Sequence, residues 1–398
     1  MSDNATDKVL RDFRAGIITR RELLQALAAI VGLPALAMAQ GRATGAPPDT
    51  GRGGRGGGAG RGGGGRGAAR DTTPLVMPFE STGWTTVWLD HFSYQCVDYK
   101  KAAAFYATLM GWKVRSDDGK QCTLDIGDSS GGIIIRGGLK APPPAAITDA
   151  GLGVSRPPVQ AVFDGFAWGI SPWDTNKVEA ELKKRGLNPV ADHQGSDYKS
   201  FRFKDPDGFD VAVTNGTKEL RRKTAAKGKL PAPAPFEPTN WNTLYLDHIS
   251  FEVPDYRRSV AFYKALLGWE IEGGGGGGGQ ITVQIGTIGG AIIRGNAAAR
   301  ASTAGRGGRG DSAGATPAAP PPPPAGTVTA AIGHISFGIE NWDTERVRSE
   351  LKKRDVVYVS RDGVREPRPD MTGTLESFHV PDAMGWDLQI GNKIKPGR

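Results

Sequence analysis

One phrase is written twice in this chain. Trp88 to Trp112 reads WLDHFSYQCVDYKKAAAFYATLMGW, and Tyr245 to Trp269 reads YLDHISFEVPDYRRSVAFYKALLGW. A repeated strand-and-helix phrase demands a fold built by duplication, so each half must close its own core on the same plan. In each copy a histidine (His91, His248) opens a run that alternates apolar and polar, which is strand patterning. An aspartate (Asp98, Asp255) then starts an amphipathic helix that stops at Gly-Trp.

Periodicity extends the plan to four units. The first has a predicted strand from Val87 to Cys96, a helix from Tyr99 to Met110, and short strands at Trp112 to Arg115, Cys122 to Ile126 and Gly132 to Arg136. The second repeats this order with Phe166 to Ile170, Asp174 to Arg185, Pro189 to Ala191, Ser200 to Lys204 and Asp210 to Thr214. The third uses His248 to Val253, Tyr256 to Leu267, Trp269 to Glu272, Ile281 to Ile285 and Gly290 to Arg294. The fourth uses Gly333 to Ile339, Asp343 to Arg354, Val356 to Ser360, Thr374 to Val380 and Asp387 to Ile390. Trp173-Asp174-Thr175 and Trp342-Asp343-Thr344 put a capping acid at equivalent helix starts. The expectation is an α+β chain of four βαβββ modules in two pairs.

The segments DHISFEVPDYRRSVAFYKALLGWEI, GGAIIRG, KDPDGFDVAV and VPDAMGWDLQI resemble the vicinal oxygen chelate superfamily, which contains glyoxalase I, bleomycin resistance proteins and extradiol dioxygenases. The resemblance covers Thr85 to Asn215 and Asn242 to Asn392. It implies two tandem domains, each an incomplete barrel made of two modules, with one divalent metal (iron, zinc, nickel or manganese) on a concave face. Ligands in that family come from the first and last strands and are usually His, Gln or Glu. Substrate oxygens chelate the ion, which acts as a Lewis acid or activates dioxygen.

Strand alternation tests this independently, because side chains two apart share a face. Ile249, Phe251 and Val253 form one apolar set, which turns His248, Ser250 and Glu252 the other way. Ile335, Phe337 and Ile339 oppose His334, Ser336 and Glu340, and Leu388 and Ile390 oppose Asp387 and Gln389. The expected ligands are therefore His248, His334 and Gln389, with Asp387 and Glu252 as catalytic or compensating carboxylates and Ser250 and Ser336 positioning water or substrate. Glutamine stands where the family pattern has glutamate, so a divalent ion should be held more weakly. The first half lacks the set: Gly165 and Ala212 fall where His334 and Gln389 stand, and His91 reads as a structural residue. His193 reads as a solvated loop residue, while His379 lies on an inner strand within reach of the cleft. In the recurring Leu-Asp-His, Asp90 and Asp247 are expected to face away from the neighbouring histidine and to serve the domain seam.

The flanks carry other signals. Residues 1–39 contain Arg20-Arg21, a short apolar run and Ala37-Met38-Ala39, an arrangement similar to a twin-arginine export signal. It implies a periplasmic or secreted protein, with no membrane anchor expected. Residues 40–76 are rich in Gly and Arg, and 296–326 in Pro and Gly, so both read as flexible linkers. The remaining chain divides into a first domain at 77–220, a linker at 221–239 and a second domain at 240–398. Much of the net charge of +8 falls in the Gly-Arg tract, which has no interleaved aromatics, so no nucleic-acid partner is expected. Cys96 and Cys122 read as two small buried thiols.

Three functions fit. The first is a metal-assisted enzyme, a lyase, isomerase or dioxygenase, acting in the second domain on a small molecule with vicinal oxygens. The alternative is a metal-free ligand-sequestering protein like bleomycin resistance proteins, with Trp88, Trp168, Trp241 and Trp386 as apolar walls. The last is an interaction protein working through its Gly-Arg and Pro tracts.

Overall fold

The computed structural model describes residues 74–393, except 128–129, 141–153, 156–157, 196, 224–227, 275–278, 297–329, 361 and 373. The expected signal segment, the Gly-Arg tract up to residue 73 and nearly all of the Pro-Gly insert lie outside the described residues.

Each half forms one eight-stranded sheet. The first contains β1 (Thr85–Cys96), α1 (Tyr99–Met110), β2 (Lys113–Asp117), β3 (Gln121–Asp125) and β4 (Gly132–Arg136). After the short strand β5 (Val154–Ser155) it continues with β6 (Ala161–Ser171), α2 (Thr175–Lys184), β7 (Val190–Ala191), β8 (Ser200–Lys204) and β9 (Asp210–Thr214). A short helix α3 (Lys218–Arg222) leads on to the second half. That half has β10 (Thr243–Val253), α4 (Tyr256–Leu267), β11 (Glu270–Gly274), β12 (Gln280–Ile285) and β13 (Gly289–Gly295). It closes with β14 (Ala331–Ile339), α5 (Thr344–Lys353), β15 (Tyr358–Ser360), β16 (Arg365–Glu366), β17 (Arg368–Thr372), β18 (Leu375–Pro381) and β19 (Asp387–Gly391).

The sheet orders are β2-β3-β4-β1-β6-β9-β8-β7 and β11-β12-β13-β10-β14-β19-β18-β17. Two modules thus join through the antiparallel pairs β1·β6 and β10·β14. The four-module α+β expectation holds, and helices α1 and α4 have the predicted bounds. Aspartate side chains cap them: Asp98 accepts from the Lys101 amide and Asp255 from those of Arg257 and Arg258. The sequence reading missed β17, because Pro369 argues against a strand; here β17 is a sheet edge, where a missing N–H costs no ladder bond.

The repeated Gly-Trp explains how the halves meet. The last carbonyls of a helix have no donor inside it. Thr239 and Thr243 hydroxyls donate to the Leu109 and Met110 carbonyls of α1, and Thr82 and Thr86 hydroxyls donate to those of Leu266 and Leu267 of α4. Trp112 Nε1 then donates to Thr243 Oγ1 at 2.9 Å, and Trp269 Nε1 to Thr86 Oγ1 at 3.1 Å. Each helix end is stitched into the other domain with near-twofold symmetry. Aromatic rings fill the seam: Phe92 meets Phe337 edge to face, and Phe166 meets Phe251 with centroids 5.3 Å apart. Cys96 and Cys122 are buried and unbonded, as expected of packing thiols.

Candidate functional site

The central strands of the second sheet assemble the site. Ser250 lies opposite His334 and His248 opposite Ser336 on β10 and β14. Gln389 on β19 pairs with Ser336 on one side and His379 of β18 on the other. One face therefore carries His248, His334, His379 and Gln389. His248 Nε2 and His334 Nε2 are 3.0 Å apart. The rings of His334 and His379 meet edge to face with centroids at 4.8 Å. Ligand atoms of His334, His379 and Asp387 all lie within 4.8 Å of one another.

Gln389 is fully buried, and its Nε2 donates to Ser377 Oγ at 2.8 Å. That bond fixes the amide and leaves Oε1 buried with no hydrogen-bond donor. An unsatisfied buried acceptor costs about 1–3 kcal/mol, which a Lewis acid at that point would relieve. Two imidazoles and one carbonyl oxygen suit a divalent first-row metal.

Asp247 corrects the sequence reading. It was expected to face away from His248, yet its Oδ2 lies 2.9 Å from His248 Nδ1. The cause is a register shift between Leu246 and His248, an irregularity in the ladder that breaks alternation. Asp90 does the same to His91, at 2.7 Å, beside the matching shift between Leu89 and His91. Lys393 Nζ, at 2.8 Å, and Ser336 Oγ, at 3.2 Å, also donate to Asp247. Burial alone would raise the Asp247 pKa, but His248 and Lys393 outweigh it and hold the carboxyl down at about 2. The ionised carboxylate keeps a proton on His248 Nδ1 and leaves the Nε2 lone pair for a ligand. Burial, together with His379, His248, Arg294 and Arg368, holds His334 well below the ordinary histidine pKa, which favours its neutral, metal-binding form.

The other expected residues are brought to the same sheet with different partners. Asp387 is 2 % exposed; its Oδ2 lies 3.0 Å from His379 Nδ1 and its Oδ1 accepts from Tyr358 OH at 2.8 Å. Ser336 is fully buried against Asp247. The Ser250 Oγ is buried without a hydrogen bond, and Glu252 is buried on the same strand face. Sequence reasoning missed Tyr358 and Arg368: Tyr358 was hidden in an apolar run, and Arg368, paired with His379, lies on the overlooked β17. The four tryptophans are not cleft walls. All are buried, with Trp168 against Trp269 and Trp386 against Phe163 inside the seam.

The first sheet places other residues at the corresponding positions. Gly165 stands opposite Ser93 as His334 stands opposite Ser250, and Ala212 lies between Ala167 and Arg202 as Gln389 lies between Ser336 and His379. His193 is exposed, with its Nδ1 accepting from the Ser200 amide at 3.2 Å.

A family model described as the Glyoxalase/Bleomycin resistance protein/Dioxygenase superfamily matches residues 88–213 and 245–390. The chain belongs to this superfamily. Among solved structures it is similar to the Mn(II)-bound glyoxalase from Novosphingobium aromaticivorans, at 14% identity and TM-score 0.47, covering 77% of this chain and 82% of that one. It is also similar to homoprotocatechuate 2,3-dioxygenase from Arthrobacter globiformis, at 16% identity and TM-score 0.49, covering 82% and 86%. A single-residue variant of the same enzyme from B. fuscum gives 15% identity and TM-score 0.50, covering 82% and 76%. At these identities the likeness shows the fold alone. No curated protein matches the chain.

Proposed function

We propose that the second domain of this superfamily member binds one divalent metal ion through His248 Nε2, His334 Nε2 and Gln389 Oε1. It then acts on a small substrate that chelates through vicinal oxygens, by lyase, isomerase or dioxygenase chemistry. The observation that carries this is the 3.0 Å approach of two imidazole nitrogens on the face that holds a buried glutamine oxygen with no donor. A bound ion would supply Lewis acidity to the chelated oxygens. Asp247 holds His248 in the tautomer that presents Nε2. His379, held at Nδ1 by Asp387 and through it by Tyr358, is placed to carry a proton, so Asp387 acts by positioning His379. Ser250 and Glu252 share the substrate-facing side of β10.

The experiment is titration of metal-stripped protein with Mn2+ and Co2+, followed by assays on catecholic diols and on hemithioacetals. One equivalent bound, activity on one class, and loss of both in His334→Ala support the reading. Full activity in stripped protein contradicts it. The N-terminal segment belongs to the same proposal as a twin-arginine export signal; replacing Arg20 and Arg21 by Lys should leave the protein in the cytoplasm of an expressing bacterium, and unchanged export would refute that role.

A further inference from the structure

The first domain lost its metal ligands yet kept a built cleft. A cavity of about 590 Å³ opens there, and its lining mixes apolar surface with polar and charged side chains. His91 remains, with Nδ1 bound to Asp90, and Tyr198 OH donates to the same carboxylate at 3.0 Å. An oriented imidazole of this kind presents its other nitrogen, Nε2, to the cavity it lines.

Across from this pair stand two guanidinium groups. Arg115 and Arg221 both bind Asp125, at 2.7 Å and 2.8 Å through their Nε atoms, and both also line the cavity. Arg221 arrives from outside the sheet, on α3. It lies directly over Gly132: a Cβ there would come 2.5 Å from the Leu124 carbonyl oxygen, which favours glycine, and 2.2 Å from Arg221 Nη2, which fills the space left. Gly132 is the register partner of His91, which sets the guanidinium beside the imidazole. The second domain has glycine at the corresponding place, Gly290, opposite His248, but there the face carries His334 and Gln389. In the first domain Gly165 and Ala212 stand at those positions, and Arg221 brings a guanidinium to the cavity.

Charges of both signs line this cleft, with Arg115, Arg221 and Lys223 beside Asp90 and Asp197. Burial would raise the Asp90 pKa, yet His91, Arg221 and the Tyr198 hydroxyl together bring it below the ordinary value, so the carboxylate remains ionised. Planar guanidinium donors in a half-buried wall are the chemistry that recognises carboxylate and phosphate oxygens.

We propose that the first-domain cleft is a second binding site, independent of metal, for a small oxyanion of the carboxylate or phosphate type, with Arg221, Arg115 and His91 as its contacts. Occupancy is tested on the full chain after metal removal, by calorimetric titration with succinate and with inorganic phosphate. Binding of either probe at one equivalent, weakened at least tenfold in Arg221→Ala and in His91→Gln, is the expected result. Because Arg221→Ala could loosen α3, the unsubstituted protein supplies an independent reading: the bound probe should shift the imidazole NMR signals of His91 and leave those of His334 in place. No binding of either probe, equal binding in both variants, or shifts confined to His334 would overturn the proposal.

Discussion

At the scale of residues, a ladder irregularity decides the chemistry. Alternation alone places Asp247 and His248 on opposite faces, and the register shift beside them brings the carboxylate onto the imidazole. Replacing Asp247 by Asn keeps the shape but removes the charge that fixes the His248 tautomer. Metal affinity should fall by roughly 10–100-fold, the usual effect of losing such a partner, as measured by metal titration. The same carboxylate links folding to pH. Its pKa is about 2 in the fold against an ordinary aspartate value of 3.8, so the folded state binds the proton less tightly than the unfolded one. The stabilisation, about 2 kcal/mol, is present above pH 4 and fades as pH falls from about 4 to about 2. Denaturant unfolding should show wild type more stable than Asp247→Asn at pH 6, with the gap shrinking toward pH 2. Alternation did place His248, His334 and Gln389 on one face from sequence alone. It could not reveal the Asp247 contact, which depends on an irregularity in the β10·β14 ladder, nor that Asp387 is bound to His379 and Tyr358, which depends on how β15, β18 and β19 meet in the fold.

At the scale of elements, the two helix ends carry the most information. Gly111 and Gly268 both have φ of +69°, and a Cβ on either would come within 2.2 Å of Trp241 O or 2.3 Å of Trp84 O across the seam. Left-handed backbone alone costs a non-glycine residue about 1–2 kcal/mol, and the carbonyl clash adds to it. Gly111→Ala and Gly268→Ala should each lower stability by more than about 2 kcal/mol in chemical denaturation, whereas alanine at Gly186, where a Cβ meets nothing, costs only the backbone penalty. The Gly-Trp ending was legible as a helix stop. Its role as a stitch between domains was not, since the partners are Thr82, Thr86, Thr239 and Thr243, which in sequence are ordinary loop and strand residues. β17 shows the opposite limit: Pro369 is a correct local signal against a strand, overruled by an edge position that only the assembled sheet defines.

At the scale of the whole molecule, duplication gives two sheets of the same strand order, and the two clefts differ in the side chains they carry. The seam joins the halves through paired Trp-Thr bonds, and through Tyr94 and Tyr106 on Asp382 and Tyr263 on Asp205. Domains so joined should unfold in one calorimetric transition; two resolved transitions would show the seam to be weak. Among the described residues, His248, His334, His379 and Gln389 share one face of the second sheet, while His91 stands at the place of His248 in the first. The most direct test is metal content by domain: wild type and His91→Ala, reconstituted with Mn2+ and desalted, should each hold about one equivalent, and His334→Ala should hold almost none. Metal retained by His334→Ala, or lost from His91→Ala, would contradict the account.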